Sequence, residues 1–152
     1  MEIRQKIAAA RQFWDKHTQG WFGTLVYILL GFGIAFAANA ALGLAFHTDT
    51  PVVAVFSDSM VPTYYKGDMI FVNGAGNISV GDIVVYDSPV YRYPIIHRVI
   101  AFDGDKVITK GDHNAVQDPW ETSPDKIHGK AMLRVPLLGW VKILFLQALG
   151  QA

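Results

Sequence analysis

From Trp21 to Phe46 the chain runs without an Asp, Glu, Lys or Arg. A helix of that length rises about 39 Å, against a hydrocarbon core of about 30 Å. The stretch therefore predicts one membrane-spanning helix with some tilt. Only Thr24, Tyr27 and Asn39 are noticeably polar within it. A helix buried in a soluble core is rarely this long and usually keeps a polar face. A cleavable targeting peptide has a shorter apolar region, and this one begins only at Trp21. Ahead of the span, Ile3, Ile7, Ala10 and Trp14 recur at helical spacing. They predict a short amphipathic helix on the membrane surface, with a frayed tail as the alternative.

From about Thr50 the pattern shortens. VVAVF (52–56), MIFVN (69–73), DIVVYD (82–87), PIIHRVIAF (94–102) and KVITK (106–110) are brief β-branched or aromatic runs. YKGD, SVGD and FDGD separate several of them, and Gly, Asp and Ser favour turns. GKAMLRV (129–135) is a further strand candidate. The expected fold class is mainly β, with an all-β domain rather than alternating β and α units. LLGWVKILFLQALG (137–150) reads as a helix too short to span, and it carries Lys142. It is expected to lie at the membrane interface or to pack on the β domain, with Trp140 and Lys142 reaching for headgroups. The organisation is thus 1–20 amphipathic, 21–46 transmembrane, 47–136 β domain and 137–152 interfacial helix.

Charge orients this arrangement. Arg4, Lys6, Arg11 and Lys16 precede the span, and no Lys or Arg follows it until Lys66. The positive-inside rule then puts the N-terminus in the cytoplasm and the β domain outside. Composition adds exclusions. The 152 residues carry 13 basic and 13 acidic side chains, so nothing suggests the basic face that nucleic acid needs. Cysteine is absent, so there is no disulfide framework and no thiol nucleophile.

Candidate chemistry begins at FSDSMVP (56–62), a polar turn just past the span. A serine hydroxyl is a weak nucleophile unless a base lies in hydrogen-bond reach and a partner orients that base. His97, His113 and His128 are the candidates in the β domain. His97 sits among apolar neighbours, where a structural core histidine is the alternative. Asp112 and Asp118 both lie in TKGDHNAVQDP (109–119). That loop could turn both acids towards one point or leave both solvated.

Taken in order, the span, SDSMVP, YKGDMIFV, GDIVVY, HRV and GDHN with its later Asp resemble the type I signal peptidases. The match is to the branch found in archaea and the endoplasmic reticulum, over roughly Trp21 to Val135. SDSMVP alone is moderately specific; with HRV and TKGDHN in this order the combination is highly specific. The resemblance implies a membrane-bound serine endopeptidase that removes N-terminal signal peptides after small residues. It implies Ser59 as nucleophile and His97 as general base, where the bacterial branch has lysine. It implies Asp118 as the acid that orients His97 and Asp112 as an acid that supports the site. Ser57 would join the Ser59 backbone N–H in the oxyanion hole. Many relatives have Asn where His113 stands. The expected membrane is an archaeal plasma membrane or the endoplasmic reticulum.

Met60 and Pro62 are the expected substrate contacts, with Met60 offering an apolar rim. No metal or cofactor is called for. The expected partners are preprotein signal peptides and the lipid bilayer, with a link to the secretion translocon. Ser59 follows soon after Phe46, so an extended chain holds it within roughly 45 Å of the span. The strand beside it is expected to bind extended substrate by β-addition. The competing readings are a metal site of His97, His113, Asp112 and Asp118, a non-catalytic β module, and a Ser–Lys protease using Lys106 or Lys110.

Overall fold

The computed structural model describes residues 2–17 and 20–150. The chain divides into two compact units, 1–41 and 42–152. The first holds helix α1 (Glu2–His17) and most of helix α2 (Gly20–Phe46). In α1, Ile3 and Ile7 are exposed. The side chains of Ala10 and Trp14 lie outside the described residues. α2 has 27 residues and a mean hydropathy of 2.1, long and apolar enough to cross a membrane. Gly23 is buried within it, while Trp21, Phe36 and Leu44 are largely exposed.

The second unit begins with the last turn of α2. His47 takes a left-handed conformation, with a positive φ, as the residues that end many helices do. Thr48 N–H then donates to Gly43 O at 3.1 Å, and Gly74 N–H donates to Phe46 O at 2.8 Å. These bonds satisfy carbonyls that the helix end would leave unpaired.

Six strands follow: β1 (Val52–Ala54), β2 (Met69–Asn73), β3 (Ile83–Tyr86), β4 (Ile95–Asp103), β5 (Lys106–Lys110) and β6 (Ile127–Val135). They form one antiparallel sheet in the order β1-β2-β6-β3-β4-β5. Every strand expected from the apolar runs is present, and the fold is mainly β. Period-two alternation gives each strand an apolar face, and these faces build two clusters. Val53, Val55, Met60, Ile70, Val72, Val85 and Ile96 form one. Val84, Tyr86, Val99 and Val107 form the other, with Trp120 packed against it.

Helix α3 (Gly139–Ala148) packs on the sheet through Gly139 and Ile143. Its docking depends on close approaches. Gly67, whose φ is positive, lies under Trp140, and a Cβ there would stand 2.0 Å from the indole nitrogen. Lys66 holds its ammonium 5.8 Å from the centre of the same ring. The outer face of α3 exposes Leu138, Val141, Leu144, Phe145 and Leu149. The helix thus packs on the β domain, as one of its two expected placements has it, and keeps an apolar outer stripe.

Gly67→Ala is expected to destabilise this unit by about 1–3 kcal/mol through overpacking, with added strain from the left-handed backbone. Thermal unfolding with Trp140 fluorescence would measure it; an unchanged midpoint would contradict this account of α3.

Candidate active site

Ser59 stands in the turn that leaves β1. Val61 N–H donates to Asp58 O at 3.1 Å and Tyr64 N–H to Met60 O at 2.9 Å. The next side chain, Met60, is fully buried in the first cluster. Burying Met60 anchors the turn and leaves Ser57 and Asp58 exposed and Ser59 partly so. This corrects the expectation for Met60: it is a core residue, not an apolar rim facing substrate. Pro62 is exposed and is not among the groove-lining residues described below.

His97 is the third residue of β4, opposite Val84 of β3. Its Nε2 lies 3.1 Å from Ser59 Oγ and its Nδ1 lies 2.8 Å from Asp118 Oδ2. The His97 and Asp118 side chains are only 7% and 6% exposed. Asp118 returns to the sheet after β5, where its N–H donates to Thr109 O at 2.9 Å. Of the two acids that the loop offers, Asp118 is the one that meets the imidazole.

Asp112 faces other partners. Arg98 donates Nε to Oδ1 at 2.8 Å and Nη2 to Oδ2 at 2.7 Å, a bidentate pair. Thr63 donates its hydroxyl to Oδ2 at 2.5 Å, and Arg98 Nη1 reaches Gly81 O at 2.8 Å. The hydrogen bonds from Arg98 hold the Asp112 carboxyl below the usual carboxylate range, and the same bonds raise Arg98. Burial pushes Asp118 upward, but donors from His97, Thr109 and Tyr86 outweigh it and hold that carboxyl low as well.

The loop between the two acids braces Ser59. His113 N–H donates to Ser59 O at 2.8 Å. A Cβ on Gly111 would lie 2.6 Å from Ser59 O and 2.9 Å from His97 Nε2, so only glycine lets the loop come this close. The His113 side chain is exposed and lines the groove beside the serine. Ser57 Oγ lies 3.1 Å from Ser59 Oγ. Lys106, a candidate base in the Ser–Lys reading, is paired with Glu121 at 2.5 Å on the surface.

Ser57, Ser59, His97 and Asp118 border a groove of about 930 Å³. One wall is β1 and its extension, Val53 to Phe56; Tyr93 to Ile96 form the other. Phe56 and Tyr93 stack at 5.6 Å, with 8° between their planes. β1 ends the sheet. Pro51 and Val55 hydrogen-bond towards β2, through Val72 N–H, Asp68 O and Gly67 N–H. Alternation turns the N–H and C=O of Ala54 and Phe56 to the open edge.

Sequence reasoning misses Thr63, Tyr86, Arg98 and Thr109. Arg98 stands within HRV but carries no local sign of a role; strand alternation past a candidate base would set it on the opposite face from His97. Tyr86 and Thr109 have no local signal, because only strand pairing brings them to Asp118.

A hydroxyl, an imidazole and a buried carboxylate in one hydrogen-bonded row, beside an open strand edge, can activate a serine to take the acyl group from an extended peptide. Residues 25–131 match the family described as signal peptidase, peptidase S26. The chain is 35% identical over 136 residues to the signal peptidase complex catalytic subunit SEC11 of Scheffersomyces stipitis, covering 81% of this chain and 80% of that one. It is 33% identical over 157 residues to the protein of that name from Candida albicans, covering 95% and 86%. The corresponding Clavispora lusitaniae protein is 33% identical over 133 residues, covering 79% and 80%. The chain belongs to the signal peptidase family, and is a serine endopeptidase.

The Asp112–Arg98 pair predicts a pH-dependent stability difference. The folded carboxyl is depressed, so its contribution is present above the unfolded value of about 3.9. It is lost as pH falls through the lower folded value. Asp112→Asn should therefore be less stable than the parent at pH 7, by about 1–3 kcal/mol for charge-assisted hydrogen bonds. The two should converge in acid. Urea unfolding across that range measures it, and a gap independent of pH would refute the assignment.

Proposed function

We propose that the chain removes N-terminal signal peptides from secreted and membrane preproteins, with Ser59 as nucleophile, His97 as general base and Asp118 as its orienting acid. The observation that carries this reading is the continuous hydrogen-bonded row from Ser59 Oγ through His97 to Asp118 Oδ2. With Nδ1–H given to the carboxylate, Nε2 presents a lone pair to the Ser59 hydroxyl. Ser59 Oγ attacks the scissile carbonyl while its proton moves to Nε2. The imidazolium then returns that proton to the leaving amine. Water, activated by the same nitrogen, hydrolyses the acyl-enzyme.

The Ser59 hydrogen is directed at His97, so the hydrogen in the 3.1 Å contact between the two serines belongs to Ser57. When Ser59 Oγ becomes bonded to carbon, the Ser57 hydroxyl is free to turn to the oxyanion beside the Ser59 N–H. Asp112 supports the site through Arg98 and the loop that carries His113. Substrate adds to the open edge of β1 at Ala54 and Phe56. The wall of Val53, Ile96 and the Phe56–Tyr93 stack favours short side chains before the cut.

α2 is the membrane anchor, with the N-terminus cytoplasmic and residues 47–136 on the far side of the bilayer. α3 lies at the interface, its apolar outer stripe towards lipid. The relatives bear the name of a complex's catalytic subunit, and this chain assembles in the same manner at the membrane where preproteins emerge.

Ser59→Ala and His97→Ala should each lower preprotein cleavage by roughly 10³-fold or more, and Ser57→Ala by about 10²–10³-fold. Normal cleavage by purified Ser59→Ala protein would sink the proposal. The parent enzyme should lose activity in acid, because a histidine works as a base only in its neutral form. The carboxyl of Asp118 is held low by its donors and remains ionised through that limb. A flat acid limb down to pH 4 would exclude histidine as the base.

A further inference from the structure

Asp118 Oδ2 receives more than the imidazole. Tyr86 OH donates to it at 2.8 Å and Thr109 Oγ1 at 2.6 Å. Both side chains are fully buried. Their hydroxyl oxygens are 3.0 Å apart, but each carries one hydrogen. An oxygen–oxygen approach of 2.6 Å to a carboxylate requires that hydrogen between them, so Thr109 serves Asp118 rather than Tyr86. The hydrogen of Tyr86 goes to the same acceptor.

The sheet explains the convergence. β3 and β5 flank β4 on either side. Val84 is opposite His97 and Thr109 is opposite Val99, so Tyr86, His97 and Thr109 share one face. The two hydroxyls therefore reach Asp118 from the strands on both sides of the one that carries the imidazole. We infer that Tyr86 and Thr109 are positioning residues of the hydrolytic site, acting through Asp118 on His97. This rests on the assignment of Ser59, His97 and Asp118 above.

Two effects follow from the geometry. Pinned by two fixed donors, Oδ2 can only present itself to Nδ1, which sets the tautomer that leaves Nε2 free for Ser59. The donors also disperse the carboxylate charge, which keeps the proton on the imidazole rather than on Asp118. Burial pushes the Tyr86 phenol far above its ordinary range, so it stays a protonated donor at every working pH. Other charged or titratable groups near the pair are Asp112 with Arg98, His113 and Arg92 on the groove, and Asp58 in the serine turn. None of these donates to Asp118.

The test uses full-length protein with a preprotein substrate and reads kcat, KM and the pH profile. Tyr86→Phe and Thr109→Val each remove one donor with little change in shape. Each should lower kcat by roughly tenfold, the size of one hydrogen bond to a charged group, with KM unchanged. A carboxylate with fewer donors stabilises the imidazolium more, so the acid limb should move to higher pH. Thr109→Ser keeps the hydroxyl and should restore both parent values. A variant that merely loosened the core would lower the melting temperature without moving the acid limb, and that result overturns the inference. So does an unchanged kcat and limb in both variants. If Tyr86→Phe does not fold, Thr109→Val against Thr109→Ser decides alone. Failure of the underlying assignment is separate: there Ser59→Ala or His97→Ala would still cleave.

Discussion

The active geometry depends on one close approach, that of the Gly111–Asn114 loop to the carbonyl of Ser59. His113 gives its backbone N–H to that carbonyl, and Gly111 has no Cβ to hold the loop away from it or from His97. On the other side, Met60 is fully buried and fastens the same turn into the core. Ser59 is therefore held between a core anchor and a backbone hydrogen bond. The serine stays within reach of the imidazole because moving either neighbour would expose the apolar Met60 side chain or break the His113–Ser59 backbone bond.

The loop's two acids divide their work by surroundings. Asp112 faces a guanidinium and a hydroxyl, so its role is to tie β4, the Thr63 segment and the loop together as an ionised strut. Asp118 faces an imidazole and two hydroxyls in a nearly dry setting. An anion there is stabilised mainly by hydrogen bonds from His97, Thr109 and Tyr86. Exchanging these two environments would leave the imidazole beside an acid already neutralised by arginine.

The sheet turns this local arrangement into a place for a peptide. β1 is a terminal strand, and its extension past Ala54 runs directly into the turn of Ser59. A chain paired along that edge would be led to Ser59 by main-chain hydrogen bonds, which are indifferent to sequence. The groove beside that edge is walled in part by the Phe56–Tyr93 stack and Ile96.

Much of this is legible in the sequence, for identifiable reasons. Apolar length alone predicts the helix of Gly20–Phe46, since so long a run without a charge has few other stable settings. Period-two runs broken by Gly-Asp turns predict the strands, because alternation is imposed by the pleat itself. The order of the motifs carries the resemblance to the signal peptidases, and that resemblance points to Ser59, His97 and the two acids. Which acid meets His97 is not legible, since both lie in one loop and either could turn inward; the bond from Asp118 N–H to Thr109 O decides it. Met60 looks like a rim because a residue beside an exposed serine looks exposed in one dimension, whereas the turn reverses its direction into the core. Tyr86, Arg98 and Thr109 belong to the site only through strand register, which gathers residues from three different strands. The chain by itself determined its elements, because those follow from local periodicity and residue chemistry. The tertiary structure alone decided which donors meet which carboxylate, because that depends on the order of strands in space.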